Sequence, residues 1–424
     1  MRKLFAAALA LCLVFAFTMP AAATDFKVDG YYLFQGYAWD SQDVRKDNGT
    51  NQQWYTNKLR FGVAVTPEEG VGVVTRFDTF DQQTWGSLDT GADDFAVDYA
   101  YGWFATSIGK FTIGRMAGGT WGTTWGNAWR RADRIVYEGA FGPIGIVALT
   151  EKYDEDDQGT AQADDDYDKY NLGAVYKWDG GQAGLLWGYD RDARNADGLS
   201  YKAQFYSLTP YMKATFGPVY LEAELTKKYG VERTYEDGLT TADVDVSGLT
   251  YYAEAKVNVG PAWVGGFTAY VQGDDPNTAN DNEHGFTGDD YDVGYILFTD
   301  EDWAGTITTH GTNINPGGGA NTGCDGAGTD DGAMLYGLRF GVSPMEKLSI
   351  KGALFMGKAD EKDTYADDDF GTEFDIEASY KIFSSVTYTV RFGYLWTGDY
   401  WKGTNSANQV DDIYMVHHML QWSF

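Results

Sequence analysis

The chain has 424 residues, 16% of them aromatic, with 53 glycines and only four histidines, and its net charge is −30. Such an acidic surface excludes nucleic acid as a partner. The composition is one of strands and turns, not helices.

In chain order, Arg2 and Lys3 precede an apolar run from Leu4 to Phe17, then "MPAAAT" with small residues Ala21 and Ala23. This pattern predicts a secretory signal peptide over residues 1–23 and a single mature unit over 24–424. The run is too short for a membrane anchor. Cys12 follows Leu11, not a small residue, so lipidation is not expected. Without the leader, 30 basic residues stand against 62 acidic ones, a charge of −32, and Cys324 is the single thiol, so no intrachain disulfide forms.

Apolar and polar residues then alternate with period two almost throughout. "FAVDYAYGWFA" sets Phe95, Val97, Tyr99, Tyr101 and Trp103 against Asp98. "YNLGAVYKW", "LTYYAEAKVNV", "EFDIEASYKI" and "VTYTVRFGYLW" repeat the pattern. Each is long enough to cross a bilayer core when tilted. Eight short turns alternate with nine long loops. The turns are Pro67–Gly70, Ser107–Lys110, Gly142–Gly145, Asp179–Gly181, Gly217–Pro218, Gly260–Pro261, Ser343–Lys347 and Phe383–Ser385, three of them built on Gly-Pro. The loops lie near 40–51, 82–92, 117–130, 155–166, 191–199, 230–245, 273–330, 359–369 and 399–409.

That parity predicts an all-β, transmembrane antiparallel barrel of 18 strands in an outer membrane, with short periplasmic turns and long extracellular loops. Twenty strands would result if "YDVGYILFTDEDWAGTITTH" held a hairpin at Asp300–Asp302, and sixteen if another hairpin were misread. Pro210 predicts a bulge or strand end. Closure requires the last strand, "YMVHHMLQWSF", to pair with the first, "DFKVDGYYLFQGYAW". Trp422 and Phe424 then sit at the periplasmic interface.

Parity assigns twelve cations to the lumen: Lys58, Arg60, Arg76, Arg134, Lys169, Lys177, Lys228, Lys256, Arg339, Lys351, Lys381 and Arg391. It assigns nine acids there: Asp78, Asp98, Glu138, Glu222, Glu224, Glu254, Glu373, Asp375 and Glu377. Arg76, Arg134, Arg339 and Arg391 are expected to face Asp78, Asp98, Glu138 and Glu377 across the channel and set its selectivity. "GGTWGTTWGNAWRR", with Trp121, Trp125, Trp129, Arg130 and Arg131, is read either as an inward constriction with an aromatic sugar-contact surface or as a loop packed on the rim. The 273–330 loop is expected to narrow the lumen or cap its mouth.

Neither a Ser/His/Asp set nor zinc-ligand or phosphate-loop spacing occurs, so no enzyme activity and no cofactor are expected. His417 is expected to point inward and His418 outward. The acid runs beginning at Asp154, Asp164 and Asp367 fall in outer loops and read as solvated surface. Their functional alternative is Ca²⁺ bridging to anionic lipid.

The stretch "GTEFDIEASYKIFSSVTYTVRFGYLWTGDYW" followed by "DDIYMVHHMLQWSF" resembles the final strands of the alginate-export family of porins. There a Glu-hydrophobe-Asp strand leads through a short turn to a Gly-Tyr strand, then Gly-Asp and a terminal strand. "GLRFGVSPMEKLSIKGALF" and residues 111–149 agree more loosely. The resemblance implies an 18-stranded barrel. The closing strand ending in Phe424 also resembles the signal read by the barrel-assembly machinery. A polyanion exporter needs a strongly basic bore, and twelve cations against nine acids make a mixed wall, so the substrate is not carried over. The expected function is passive diffusion of small hydrophilic solutes, sugars or ions, through an outer-membrane porin embedded in lipid. A homotrimer fits that class, although no residue pattern marks an interface. Alternatives are a polysaccharide-export porin, a hydrolase barrel using His417, or a surface binding module.

Overall fold

The computed structural model describes residues 25–40, 44, 46, 51–86, 95–127, 130–155, 166–194, 201–235, 242–278, 280–285, 294–297, 331–362, 365 and 367–424. The expected leader over 1–23 lies outside them. Eighteen long strands occur among the described residues, with two short extended pieces. The first group comprises β1 (Asp25–Asp40), β2 (Gln52–Glu68), β3 (Val71–Thr84), β4 (Phe95–Thr106), β5 (Gly109–Gly118), β6 (Arg130–Phe141) and β7 (Ile144–Asp154). Then come β8 (Tyr167–Trp178), β9 (Gly181–Asp192), β10 (Tyr201–Phe216), β11 (Val219–Tyr235), the short β12 (Val244–Val246), β13 (Leu249–Val259) and β14 (Ala262–Val271). The short β15 (Asp281–Asn282) is followed by β16 (Ala333–Met345), β17 (Leu348–Lys358), β18 (Asp369–Phe383), β19 (Val386–Thr397) and β20 (Ile413–Ser423).

Every long strand pairs antiparallel with its neighbours, and β1 closes on β20 from Tyr31↔Ser423 to Asp40↔Tyr414. Beyond the strand, Phe424 and Gly30 exchange backbone hydrogen bonds of 3.0 Å. Closure satisfies the ladder hydrogen bonds that lipid cannot. The count is eighteen, not sixteen or twenty. β14 pairs directly with β16 from Ala262↔Val342 to Val271↔Ala333, so no further hairpin enters the wall there.

All eight short connections fall where the turn residues predict. At Gly142, Gly217 and Gly260 φ is 61°, 59° and 58°, and an added Cβ would meet nothing within 4 Å. Glycine is needed there for its backbone conformation, not for space. Pro143, Pro218 and Pro261 then offer carbonyls to Lys177, Asn258 and Ser343, each at 2.9 Å.

Two expectations fail locally. Pro210 neither bulges nor ends β10. The register to β11 is unbroken from Leu208↔Lys227 to Tyr211↔Glu224, and the ladder to β9 runs through Pro210↔Leu185. On β4, an irregularity displaces the pairing between Arg76↔Tyr99 and Phe77↔Val97. The one-residue slip reverses the face. Phe95 and Val97 face outward, whereas Tyr99, buried at 7% exposure, turns inward under Arg76, whose guanidinium lies 3.6 Å from its ring centre.

Outward residues form two aromatic belts. Phe104, Phe111 and Tyr137 stack in one and Phe61, Phe77 and Phe95 in the other, with neighbouring centroids 5.1–5.3 Å apart. A tyrosine row, Tyr170, Tyr189, Tyr206 and Tyr229, crosses β8 to β11 in register. From Phe95 to Phe104 a strand at ~3.3 Å per residue, tilted ~40°, rises roughly 20–25 Å, the height of a lipid-facing band.

The inside is not uniformly polar. Inward residues Phe267, Val271, Leu335, Phe355, Leu395, Ile413 and Met415 are nearly or fully buried and form one apolar core within the barrel. Tyr400 and Trp401, from a 3-10 turn at Asp399–Lys402, pack into it.

Candidate channel constriction

Two loop segments descend into the lumen, and each is held by a carboxylate on a distant strand. The first, after β5, crosses to β10–β13. Glu224 on β11 is 3% exposed and accepts the Thr123 N–H at 2.6 Å. A Cβ on Gly122 or Gly126 would lie 2.3 or 2.4 Å from the Glu224 oxygens, so only glycine lets this backbone wrap the carboxylate. Gly122 also has φ 56°.

Trp121 donates its indole N–H to the Thr209 carbonyl at 3.0 Å and meets Tyr211 edge-on at 5.4 Å. Its ring occupies the slot left by Gly173 and Gly184, where a Cβ would come within 2.8 and 3.1 Å of it. Trp125 stacks on Tyr252 at 5.9 Å and is 2% exposed. The structure therefore places Trp121 and Trp125 against the wall as anchors. Trp129 lies outside the described residues.

The second segment is Gly294–Leu297. The amides of Tyr295, Ile296 and Leu297 donate to the fully buried Glu373 of β18 at 2.7, 2.8 and 2.7 Å. Ile296 and Leu297 enter the apolar core, and the Tyr295 hydroxyl lies 3.4 Å from Glu377. Apolar "YIL" is thus seated on the wall. Asp300–Asp302, His310 and Cys324 lie outside the described residues.

The charges are paired along the wall, not opposed across the bore. Arg60 forks onto Asp78 with two bonds of 2.6 Å, and Lys58 lies 3.5 Å from the same carboxylate. Arg76 bonds Asp98, which also accepts from Arg131 at 2.7 Å. Arg130 and Arg134 share Glu151, the latter through Nε at 3.2 Å. Arg391 bonds Glu377 at 2.7 Å and Lys351 approaches it at 3.3 Å. Arg339 lies 3.9 Å from Glu254 and 4.5 Å over the Phe267 ring.

The expected pairing across the bore is corrected accordingly: neighbouring strands bring each arginine to a carboxylate within reach of its own side chain. Glu138 is exposed, in register with Lys110, and among the described residues no ion pair joins it to those arginines. Glu151, buried at 1%, shares the inward face of β7 with Val147 and Leu149, and the preceding run is apolar on both faces, so no alternation in the sequence marks it. The docking roles of Glu224 and Glu373 had no sequence signal. Arg130 and Arg131 belong to β6, not to the loop.

On the β2–β7 wall, six cations (Lys58, Arg60, Arg76, Arg130, Arg131 and Arg134) share three acids (Asp78, Asp98 and Glu151). The acids lie at 0–1% exposure, and Arg76, Arg130 and Arg131 are the cations with the most contact with the lumen.

His417 is sealed at 1% exposure beneath Tyr37, ring centres 4.8 Å apart, and cannot present itself to a substrate. His418 faces outward among Phe34, Tyr55 and Tyr388. Among the described residues no group of three or more His, Cys, Asp or Glu is placed to hold a metal. Asp154 pairs with Arg194 at 3.2 Å, and most of the acid runs at 154 and 164 lies outside the described residues. Asp367 spends its carboxylate on the amides of Asp369 and Asp368, which hold its pKa below the ordinary value.

Closed wall, lipid-facing belts and charged, loop-narrowed interior together define an outer-membrane-type barrel of eighteen strands. No family model and no curated protein matches the chain. Among solved structures, it resembles OccK3 (OpdO) of Pseudomonas aeruginosa at 12% identity, over 94% of this chain and 96% of that one, with a TM-score of 0.54. OccK9 (OpdG) of the same organism is 15% identical over 94% and 99%, with a TM-score of 0.53. The outer membrane protein OpdK of Pseudomonas aeruginosa is 12% identical over 94% and 98%, with a TM-score of 0.53. At these identities the likeness is one of fold.

Proposed function

We propose that the chain is an outer-membrane channel for passive diffusion of small hydrophilic solutes, with a preference for anions. The observation that carries the preference is the β2–β7 wall, where six cations outnumber three buried acids and Arg76, Arg130 and Arg131 keep the most contact with water. Such a wall attracts anions within about a Debye length, ~8–10 Å at physiological salt. The two infolded segments support small solutes over a polymer, which disfavours the polysaccharide-export reading of residues 370–424. In this reading the channel performs no chemistry, and the barrel-assembly machinery reads its closing strand. Homotrimer formation and Ca²⁺ at the acidic outer loops remain secondary proposals of the same reading.

Planar-bilayer recordings in a KCl gradient test it. The wild type should give a reversal potential on the anion side, and Arg76→Gln with Arg131→Gln should move it toward cations. A folded protein without conductance at any voltage refutes the channel. Cation preference in the wild type refutes the role of this wall.

A further inference from the structure

Beside the arginine wall, and sharing Arg130 and Arg134 with it, the first infolded loop and strands β6 to β11 enclose a cavity of about 390 Å³, within the range of small-molecule sites. One register row crosses its back: Asn171 of β8, Gly188 of β9, Ser207 of β10 and Lys228 of β11 stand directly side by side. All but Gly188 line the cavity. At about 4.8 Å per strand the row spans roughly 14 Å. Its second position has no side chain, which leaves a notch between an amide and a hydroxyl. The Ser207 oxygen lies 2.4 Å from where a Gly188 Cβ would stand, so any larger residue would push it aside.

Lys228 closes one end. Its ammonium lies 4.3 Å from the Phe205 ring centre and forms no ion pair within 4 Å among the described residues, with Glu232 and Asp190 acting on it from farther off. The other cations of the cavity are engaged, Arg130 and Arg134 by Glu151 and Lys169 by Asp190 at 2.7 Å. Beneath the row, one pleat toward the short-turn end, Trp121 forms an aromatic floor beside the Thr209–Thr226 hydroxyl pair, whose oxygens are 3.0 Å apart.

We propose that this alcove is a binding site for a small polyhydroxylated monoanion of the aldonate type. Its carboxylate would bind Lys228, its hydroxyls Ser207 and Asn171, and its carbon chain the Trp121 face. A half-buried hydroxyl and amide discriminate by what they leave unpaired when the ligand lacks a matching group. An ammonium that no carboxylate contacts directly discriminates by charge. The site thus demands both features in one molecule.

The proposal rests on the reading that solutes enter this lumen, so binding is measured separately from conduction. Calorimetric titration of the folded barrel in detergent would use sodium gluconate, glucose and sodium acetate. Gluconate should bind about tenfold or more tightly than either. Lys228→Met should weaken gluconate by about tenfold while heat-modifiable migration on gels shows an intact barrel. Gly188→Val, which fills the notch and leaves the ammonium, should weaken it as well. Equal affinity for glucose would overturn the role of charge, and equal affinity for acetate the role of the hydroxyl row. Absence of gluconate binding, or no effect of Lys228→Met, overturns the site. Gluconate binding by a barrel that does not conduct would uphold the alcove and refute the channel.

Discussion

Glu373→Ala should release the segment at 294–297 while leaving the barrel intact. The carboxylate is fully buried and accepts three amides at 2.7–2.8 Å. A hydrogen bond to a charged group contributes roughly 1.5–3 kcal/mol, so the gross loss is about 5–9 kcal/mol. Removing the carboxylate also removes its own desolvation cost, several kcal/mol, which leaves a net loss of about 3 kcal/mol. Ile296, 3% exposed, and Leu297, 0%, still pack in the apolar core, and each contributes about 1.5–3 kcal/mol. The segment therefore stays seated on average but opens about a hundredfold more often, at 1.4 kcal/mol per tenfold. Hydrogen exchange at the amides of Tyr295, Ile296 and Leu297 reads that opening directly. Glu373→Gln, which keeps acceptor oxygen but not charge, should accelerate exchange by about tenfold only. Unchanged exchange in Glu373→Ala would show that packing alone holds the segment and would refute the carboxylate's role.

Three further outcomes are expected. Gly122→Ala forces a Cβ to 2.3 Å from the Glu224 carboxylate at φ 56° and should displace the first loop and change single-channel conductance. Gly142→Ala, at φ 61° with open space, should cost about 1 kcal/mol in thermal stability and leave conductance alone; equal conductance changes in both would refute the cradle. Deleting Phe424 removes the reciprocal bonds to Gly30 and should lower the yield of heat-modifiable barrel in cells more than in detergent refolding. Undiminished yield in cells would refute an assembly role.

The wall was legible because a strand that meets lipid on one side and water on the other must alternate, and because Gly-Pro turns are local chemistry. Legibility stopped where one residue changed the count. The irregularity on β4 turned Tyr99 inward, and nothing around Asp98 announces it. Pro210 misled for the opposite reason: its ring is accommodated within a long strand flanked on both sides, and only the rungs to β11 at Thr209 and Pro210 are missing. Parity sorts the charges of one strand onto one face, but their partners depend on register between strands, which the sequence of a single strand does not carry. The loop anchors were least accessible. Thr123 and Glu224 are 101 residues apart, and Leu297 and Glu373 are 76 apart; no periodicity connects such positions.

Those separations carry a consequence for how the molecule fails. Each infolded segment is fastened to the wall by a carboxylate 101 or 76 residues away in the chain, whereas the wall itself is held by the ladder that joins each strand to its neighbours and β1 to β20. Wall and narrowing are therefore separable: a variant that loses one carboxylate keeps a closed cylinder with a wider bore.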